Sequence, residues 1–503
     1  MDVEEAYRTL LKVIHDYMVL TQIEYILGWD FETYMPPKGV KQRSEELAMI
    51  ATLKHDQLTN PKVGELIKIL KEDLNYSSLN QIKKREIKLI ERIYNRESKI
   101  PKELVEEIAK HIPIAIDAWK KAKKESDYSL FKPALEKMVK LTKKRAHHLD
   151  PSKEPFDALV EEYEPGMSSV IYTKLFTELK EGLMPIIQKC VNSPNQPDLS
   201  LIKRNCPIPI QRQLSENIAK LVHYDLERGR IDETEHPFTT GYYDDVRITT
   251  HYYEDDFSDS FYSVLHEAGH GIYDQNLSQD FKYQLLGDSA SYGIHESQSR
   301  FIENLIGRSR EFWEFYLPKL KEMTGNVFSD VELDAFVHAL NEVKPSKIRI
   351  TADEVTYSLH IIIRFEIERD LLSGKITTEQ LPEIWNAKYK EYLGVDVEND
   401  SEGVLQDTHW ASGAFSYFPS YAMGNIYNTQ MLNKMVQDIP EYKTLVKKGK
   451  LKSIINWLIE NVHSVSNLYD PPELIKRISG EDITPKYFIK YLNEKFSKIY
   501  GFS

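Results

Sequence analysis

SVLHEAGHGIYD, running from Ser263 to Asp274, holds His266-Glu267-Ala268-Gly269-His270 in a segment free of proline, with Leu265 and Ile272 as apolar neighbours. Four residues of α-helix advance about 6 Å and turn about 40° past a full revolution, so both imidazoles lie on one face and can reach one ion. Glu267 is rotated by one residue, beside that ion rather than under it, where a carboxylate can accept a proton from water. Such a five-residue pattern arises by chance in roughly a few per cent of chains of this kind, so it needs a helix and a third ligand around it. Gly269 costs about 1 kcal/mol relative to Ala inside a helix, which points to another element approaching closely there.

The third ligand is sought downstream. SYGIHESQSRFIENLIGRS, Ser291 to Ser309, starts a second amphipathic helix in which Ile294, Phe301, Ile302 and Leu305 pack while Glu296 turns toward the first. A carboxylate there completes a two-histidine, one-glutamate site with an open position for water, the catalytic arrangement of zinc. His295 and Glu303 compete with Glu296 for that role by spacing alone. Asp274, one turn after His270, is placed to orient a ligand imidazole.

Beyond the motif, helical periodicity dominates. Leu10, Leu11, Ile14, Tyr17, Met18, Thr21 and Tyr25 recur at three- and four-residue spacing and predict one buried face. Ser44 is a candidate cap for the next helix, and further helices are expected over 80–95, 101–124, 130–149 and 207–228. HPFTTGYYDDVRITTHYY, from His236, is rich in Thr and Tyr and predicts two short strands about a turn at Gly241 to Asp245. The expected class is mainly α with a small β element beside the motif. With 503 residues, one unit spanning 1–503 with two helical lobes is the expectation, its internal boundary left open.

Composition narrows the function. The 21 Gly and 23 Pro fall below the usual share of about 12% for the pair, as suits a helical chain. A net charge of −13 offers no general attraction to nucleic acid. No apolar run reaches membrane-spanning length, and the N-terminal stretch lacks the basic flank and apolar block of a signal peptide. Cys190 and Cys206 read as free thiols in a reducing cytoplasm.

At these residues the chain resembles the thermostable carboxypeptidase family typified by Taq carboxypeptidase. The resemblance rests on His236-Pro237-Phe238, Asp245-Val246-Arg247-Ile248-Thr249, the His266–His270 motif and His295-Glu296-Ser297-Gln298. It continues through Ile348-Arg349-Ile350-Thr351-Ala352-Asp353 and Gly403 to Trp410, with familial stretches at Trp29 to Pro37 and Pro155 to Met167. It implies a nearly all-helical fold with a deep groove, related to neurolysin and angiotensin-converting enzyme, and commonly a homodimer. It implies removal of single residues, with broad preference, from the free C-terminus of peptides, and it strengthens Glu296 as the third ligand beside His266 and His270; by ligand chemistry that shell takes one zinc ion per chain and accepts cobalt as well. Under that reading Arg349, with Arg247 behind it, offers a planar charged fork for the substrate carboxylate; the bland alternative is an arginine pairing Asp353 or another acid. His409 and Tyr421, ahead of Tyr417, are candidate donors to substrate or oxyanion, and His236 is a candidate for the groove wall. Two rivals stand beside it: an oligopeptidase cutting internal bonds with the same site, and a non-catalytic helical binding protein.

Overall fold

Residues 1–502 are described in the computed structural model. The predicted stripes become helices at Gln81–Lys99, Lys102–Glu125 and Lys132–Leu149. The N-terminal helix, Val3–Glu32, opens with the Asp2 carboxylate accepting from Glu5 N at 2.9 Å, which satisfies one of its orphan donors. On its expected inner face Leu10, Ile14, Met18 and Thr21 are buried, but Tyr25 remains 39% exposed. Ser44 is no cap: the helix Val40–Leu58 begins one turn earlier, and the Ser44 hydroxyl donates back to Val40 O at 2.8 Å. No helix among the described residues is long and apolar enough to cross a membrane. Cys190 and Cys206 are both buried and unbridged.

The segment around His236 folds as a three-stranded sheet of order β1-β3-β2, with β1 at Gly229–Glu233, β2 at Thr239–Tyr242 and β3 at Asp245–Thr250. β2 and β3 are the predicted hairpin, antiparallel, with Tyr242 opposite Asp245 across a turn in which Tyr243 takes a φ of 51°. β1 corrects the sequence reading. The helix expected over 207–228 spans only Ile208–Leu221; His223 then turns into the left-handed region at φ 68°, and the chain returns as a strand parallel to β3. GRIDE shows no apolar alternation, and of its five residues only Asp232 is buried, so no period-2 signal marks it.

The sheet lies on the helix Phe257–Gln275, which carries the histidine motif and is buried on most of its sides. Thr250 Oγ1 and Ser263 Oγ share a hydrogen bond of 2.5 Å that ties β3 to this motif helix. Tyr224 wedges between them: its hydroxyl donates to Val246 O at 2.5 Å, and its ring fills the space that a side chain at Gly271 would need. Across the opposite face comes the helix Tyr292–Arg300, capped by Ser291 and continued as a π-helical turn over Phe301–Gly307. The two helices meet at Gly269, where a Cβ would stand 2.6 Å from both Gln298 O and Ser299 Cα. The helix Pro419–Asp438 closes over the same element with Gly424 against the Glu296 side chain, and the buried Glu164 carboxylate accepts from Gly293 N and Tyr427 Oη.

One more helix positions the site. Tyr357–Ser373 is buried almost all round and ends on Gly374 in the left-handed conformation. Its Glu368, fully buried, accepts from Trp410 Nε1 at 2.8 Å and Ser416 N at 3.1 Å, anchoring both ends of the loop that follows His409.

Two expectations follow from this packing. Ala at an ordinary helical glycine gains about 1 kcal/mol, but Gly269→Ala should instead lose about 2 kcal/mol in urea unfolding, because the Gln298–Ser299 backbone that its Cβ would meet cannot yield. A neutral or stabilising result would contradict the backbone contact. Glu368 should set a pH slope. Burial pushes its carboxyl from the ordinary 4.5 to about 8, against the pull of the Trp410 and Ser416 donors. The folded chain thus holds a proton that the unfolded chain has released, so stability falls as pH rises from 4.5 through 8. Between pH 6.5 and 8, Glu368→Gln should flatten the decline of the urea midpoint by up to about 1 kcal/mol per pH unit, and an unchanged slope would assign the decline to other groups.

Candidate metal and peptide site

His266 and His270 project from one face of the motif helix with ring centroids 5.0 Å apart. Glu296 faces them from the neighbouring helix, its Oε2 3.5 Å from His266 Nε2 and 3.4 Å from His270 Nε2. Ligands held about 2.0–2.2 Å from a tetrahedral ion stand roughly 3.3–3.6 Å apart, so this spacing fits one zinc-sized cation. These three residues are the candidate metal-holding cluster among the described residues.

The far side of each imidazole decides which nitrogen is available. His266 Nδ1 lies 2.9 Å from Glu303 Oε2. A carboxylate only accepts, so Nδ1 carries the proton and, in the neutral ring that binds a metal, Nε2 keeps the lone pair. His270 Nδ1 lies 2.5 Å from His295 Nδ1, and His295 Nε2 lies 2.9 Å from Asp274 Oδ1. The same logic runs along that chain: His295 donates from Nε2 to Asp274, accepts at Nδ1 from His270, and leaves His270 Nε2 free. His295 and Glu303, rivals for the third ligand by spacing, thus orient the two histidines instead. Asp274 acts on His270 only through His295.

Buried charge is balanced by arginine. Arg300 donates to Glu296 Oε1 at 2.8 Å and to Glu303 Oε2 at 3.1 Å, and its guanidinium lies 4.6 Å above the Tyr357 ring. Burial opposes ionisation of Glu296, but the Arg300 guanidinium holds its carboxyl well below the ordinary range. Glu303, buried too, is held at about 2 by Arg300 and His266. Both stay anionic at neutral pH, as a cation site needs. Glu267, 7% exposed, points its Oε2 to the Thr239 hydroxyl at 2.6 Å.

The remaining sequence candidates divide. Arg349 is 7% exposed, with Nε and Nη2 both on Asp407 Oδ1 at 3.0 and 2.8 Å and Nη1 on Tyr357 Oη at 3.2 Å. Its acid is Asp407 rather than Asp353, which accepts from Val355 N and Thr356 N at the head of its helix. Arg364, fully buried, takes the second Asp407 oxygen at 2.7 Å. Two guanidinium groups therefore share one carboxylate, and one positive charge is left over. Tyr421 lies over Arg349 at 5.2 Å, and His409 Nε2 lies 3.4 Å from Tyr421 Oη. Burial lowers His409 to about 4 despite the pull of Asp407, with Arg349 and Arg364 adding to the effect, so its ring is neutral at physiological pH. Tyr357 links the two groups, accepting from Arg349 while stacking under Arg300. Arg247 stands apart, paired bidentately with Asp245 at 2.7 and 2.8 Å and stacked on Trp29 at 4.2 Å. His236 is exposed.

Sequence reasoning missed Thr239, Arg300, Tyr357, Arg364 and Asp407 as site residues. Arg300 was within reach of it, since a cation four residues after Glu296 lies on the same helical face. The others meet only through tertiary contacts and leave no local signal.

Comparison with known proteins completes the picture. The family profile described as carboxypeptidase Taq (M32) metallopeptidase matches residues 9–496. Carboxypeptidase 1 of Bacillus subtilis is 40% identical over 498 residues, covering 99% of this chain and 98% of its own. Thermostable carboxypeptidase 1 of Thermus thermophilus is 36% identical over the full length of both chains. Among solved structures, the M32 carboxypeptidase of Deinococcus radiodurans R1 superposes with a TM-score of 0.95 at 32% identity, covering 99% of this chain and all of the other. Metallocarboxypeptidase 1 of Trypanosoma cruzi gives 0.94 at 30%, covering 98% and 99%. Nearly end to end, then, this chain belongs to the carboxypeptidase Taq (M32) family of metallopeptidases.

Proposed function

We propose that this protein is a zinc carboxypeptidase of broad preference that removes single residues from peptide C-termini, with Glu267 as its general base. The family makes it a metallocarboxypeptidase, hence a peptide hydrolase that requires a metal ion. The finer reading rests on one observation: a single Glu296 oxygen lies 3.5 and 3.4 Å from two imidazole nitrogens whose opposite nitrogens are already committed as donors. Two neutral imidazoles and a carboxylate suit zinc and leave room for a fourth ligand.

A bound zinc ion supplies Lewis-acid polarisation of the scissile carbonyl and makes water acidic near neutral pH. The protein supplies the rest. Glu267, one residue from His266 and anchored at one oxygen, takes the proton of the attacking water and passes it to the leaving amine. Tyr421 Oη, beside a neutral His409, is the donor for the charge that develops on the carbonyl oxygen. The unbalanced charge shared by Arg349 and Arg364 over Asp407 holds the free carboxylate of the substrate, and so chooses the chain end.

Replacing Glu267 by Gln should leave one metal ion per chain and cut turnover by at least several hundredfold, because both proton transfers are lost. Near-normal turnover would move the base elsewhere. Mass spectrometry of a digested peptide pool tests the chain-end choice. Products should form a ladder shortened by one residue per step, and C-terminally amidated peptides should be poor substrates. Arg349→Ala should remove most of that discrimination through kcat/KM, by about 2–5 kcal/mol, and Arg349→Lys should recover part of it. Equal cleavage of amidated and free peptides at internal bonds would replace this reading with an oligopeptidase.

A further inference from the structure

We infer that Thr239 is the positioning residue for Glu267, and that the strand pair carrying it exists in this form to deliver that one hydroxyl. The inference rests on Glu267 being the general base. Thr239 Oγ1 stands 2.6 Å from Glu267 Oε2 and 3.0 Å from the Glu267 carbonyl oxygen. A hydroxyl has one proton to give, and the charged carboxylate is the stronger acceptor. With Oε2 engaged, Oε1 is the oxygen left to meet water beside the ligand face. A glutamate side chain has three rotatable bonds, and only a contact at its head fixes where that second oxygen points. No other side chain of the described residues bonds the Glu267 carboxylate.

The delivery system is rigid. Thr239 opens β2 opposite Ile248 in β3. Immediately before it, Phe238 N donates to Thr249 Oγ1 at 2.8 Å, and Thr249 N returns a bond to Phe238 O at 2.9 Å. Thr249 is fully buried, and its neighbour Thr250 is bound to Ser263 of the motif helix. The frame therefore runs from the motif helix through Thr250 and Thr249 to Phe238 and Thr239, and back to Glu267 on that helix. β-Branching narrows the χ1 choice of Thr239, which holds its hydroxyl toward the helix. This loop gives the His236–Phe238 and Asp245–Thr249 motifs a task that their outward-facing members do not perform, since His236 is exposed and Arg247 is paired with Asp245.

A double-mutant cycle on the zinc-loaded enzyme tests this. Thr239→Val keeps the shape and removes the donor; it should lower kcat by about tenfold to a hundredfold, the range of a hydrogen bond to a charged group, with KM and metal content close to wild type. Thr239→Ser should restore most of the rate. In the Glu267→Gln background the valine should cost nothing further, because the group it positions is already gone. Thr239→Ala gives the same reading should the valine variant fail to fold. Wild-type kcat in the valine and alanine variants, a serine variant no better than valine, or an equal loss in both backgrounds overturns the inference while leaving Glu267 as base. Undiminished turnover in Glu267→Gln alone would instead remove the base assignment, and this inference with it.

Discussion

Two helices touch backbone to backbone at Gly269, and the candidate site depends on that contact. Glu296 and the histidines lie 26 and 30 positions apart in sequence, on separate helices. Helices normally pack with axes 8–10 Å apart, a distance set by the side chains between them. Removing the side chain at Gly269, and again at Gly424 on the other flank of Glu296, draws the carboxylate within 3.5 Å of both imidazoles. The glycines are costly for helix propensity. Their return is a three-residue cluster whose geometry comes from rigid backbone rather than from long side chains reaching across a gap.

Electrostatics then completes what packing begins. Glu296 and Glu303 lie less than one-tenth exposed beside two imidazoles, an arrangement that burial alone would neutralise. Arg300 bridges the two carboxylates, and Arg308 adds a second cation 3.4 Å from Glu303 while lying 3.8 Å above the Tyr262 ring. Each imidazole is held on its far side by an acceptor, which directs the lone pair of its neutral form to the nitrogen that faces Glu296. The same principle recurs at the other end of the site. Asp407 is held far below its usual range by Arg364 and Arg349 despite burial, with two guanidinium groups on that one carboxylate. Tyr357 joins the two ends through a hydrogen bond and a stacked guanidinium.

Much of this was legible in the sequence, and the failures have identifiable causes. The histidine spacing, the flanking apolar residues and the odd glycine together predicted the motif helix and its close neighbour. The Thr- and Tyr-rich segment predicted the β2–β3 hairpin. β1 was hidden because GRIDE is a short charged strand that gains its place from parallel pairing to β3, not from an apolar alternation of its own. Ser44 misled because a serine inside a helix can bond back to a carbonyl one turn earlier instead of capping. At the site, spacing put Glu296 first but left His295 and Glu303 as competitors. Only the pairing of His266 with Glu303 and of His270 with His295 separates the acid that faces both ring nitrogens from the two groups that stand behind them. Thr239 was invisible for a similar reason: strand register, not local pattern, brings its hydroxyl to Glu267.

The function of the His266, His270 and Glu296 cluster turns on where an ion binds, and anomalous diffraction from crystals of the zinc-loaded protein locates it directly. The account predicts one peak per chain, about 2.0–2.2 Å from His266 Nε2, His270 Nε2 and a Glu296 oxygen, with Glu303 and His295 still bonded to the Nδ1 atoms. A peak coordinated by His295 or Glu303, or one bound through either Nδ1, would contradict it.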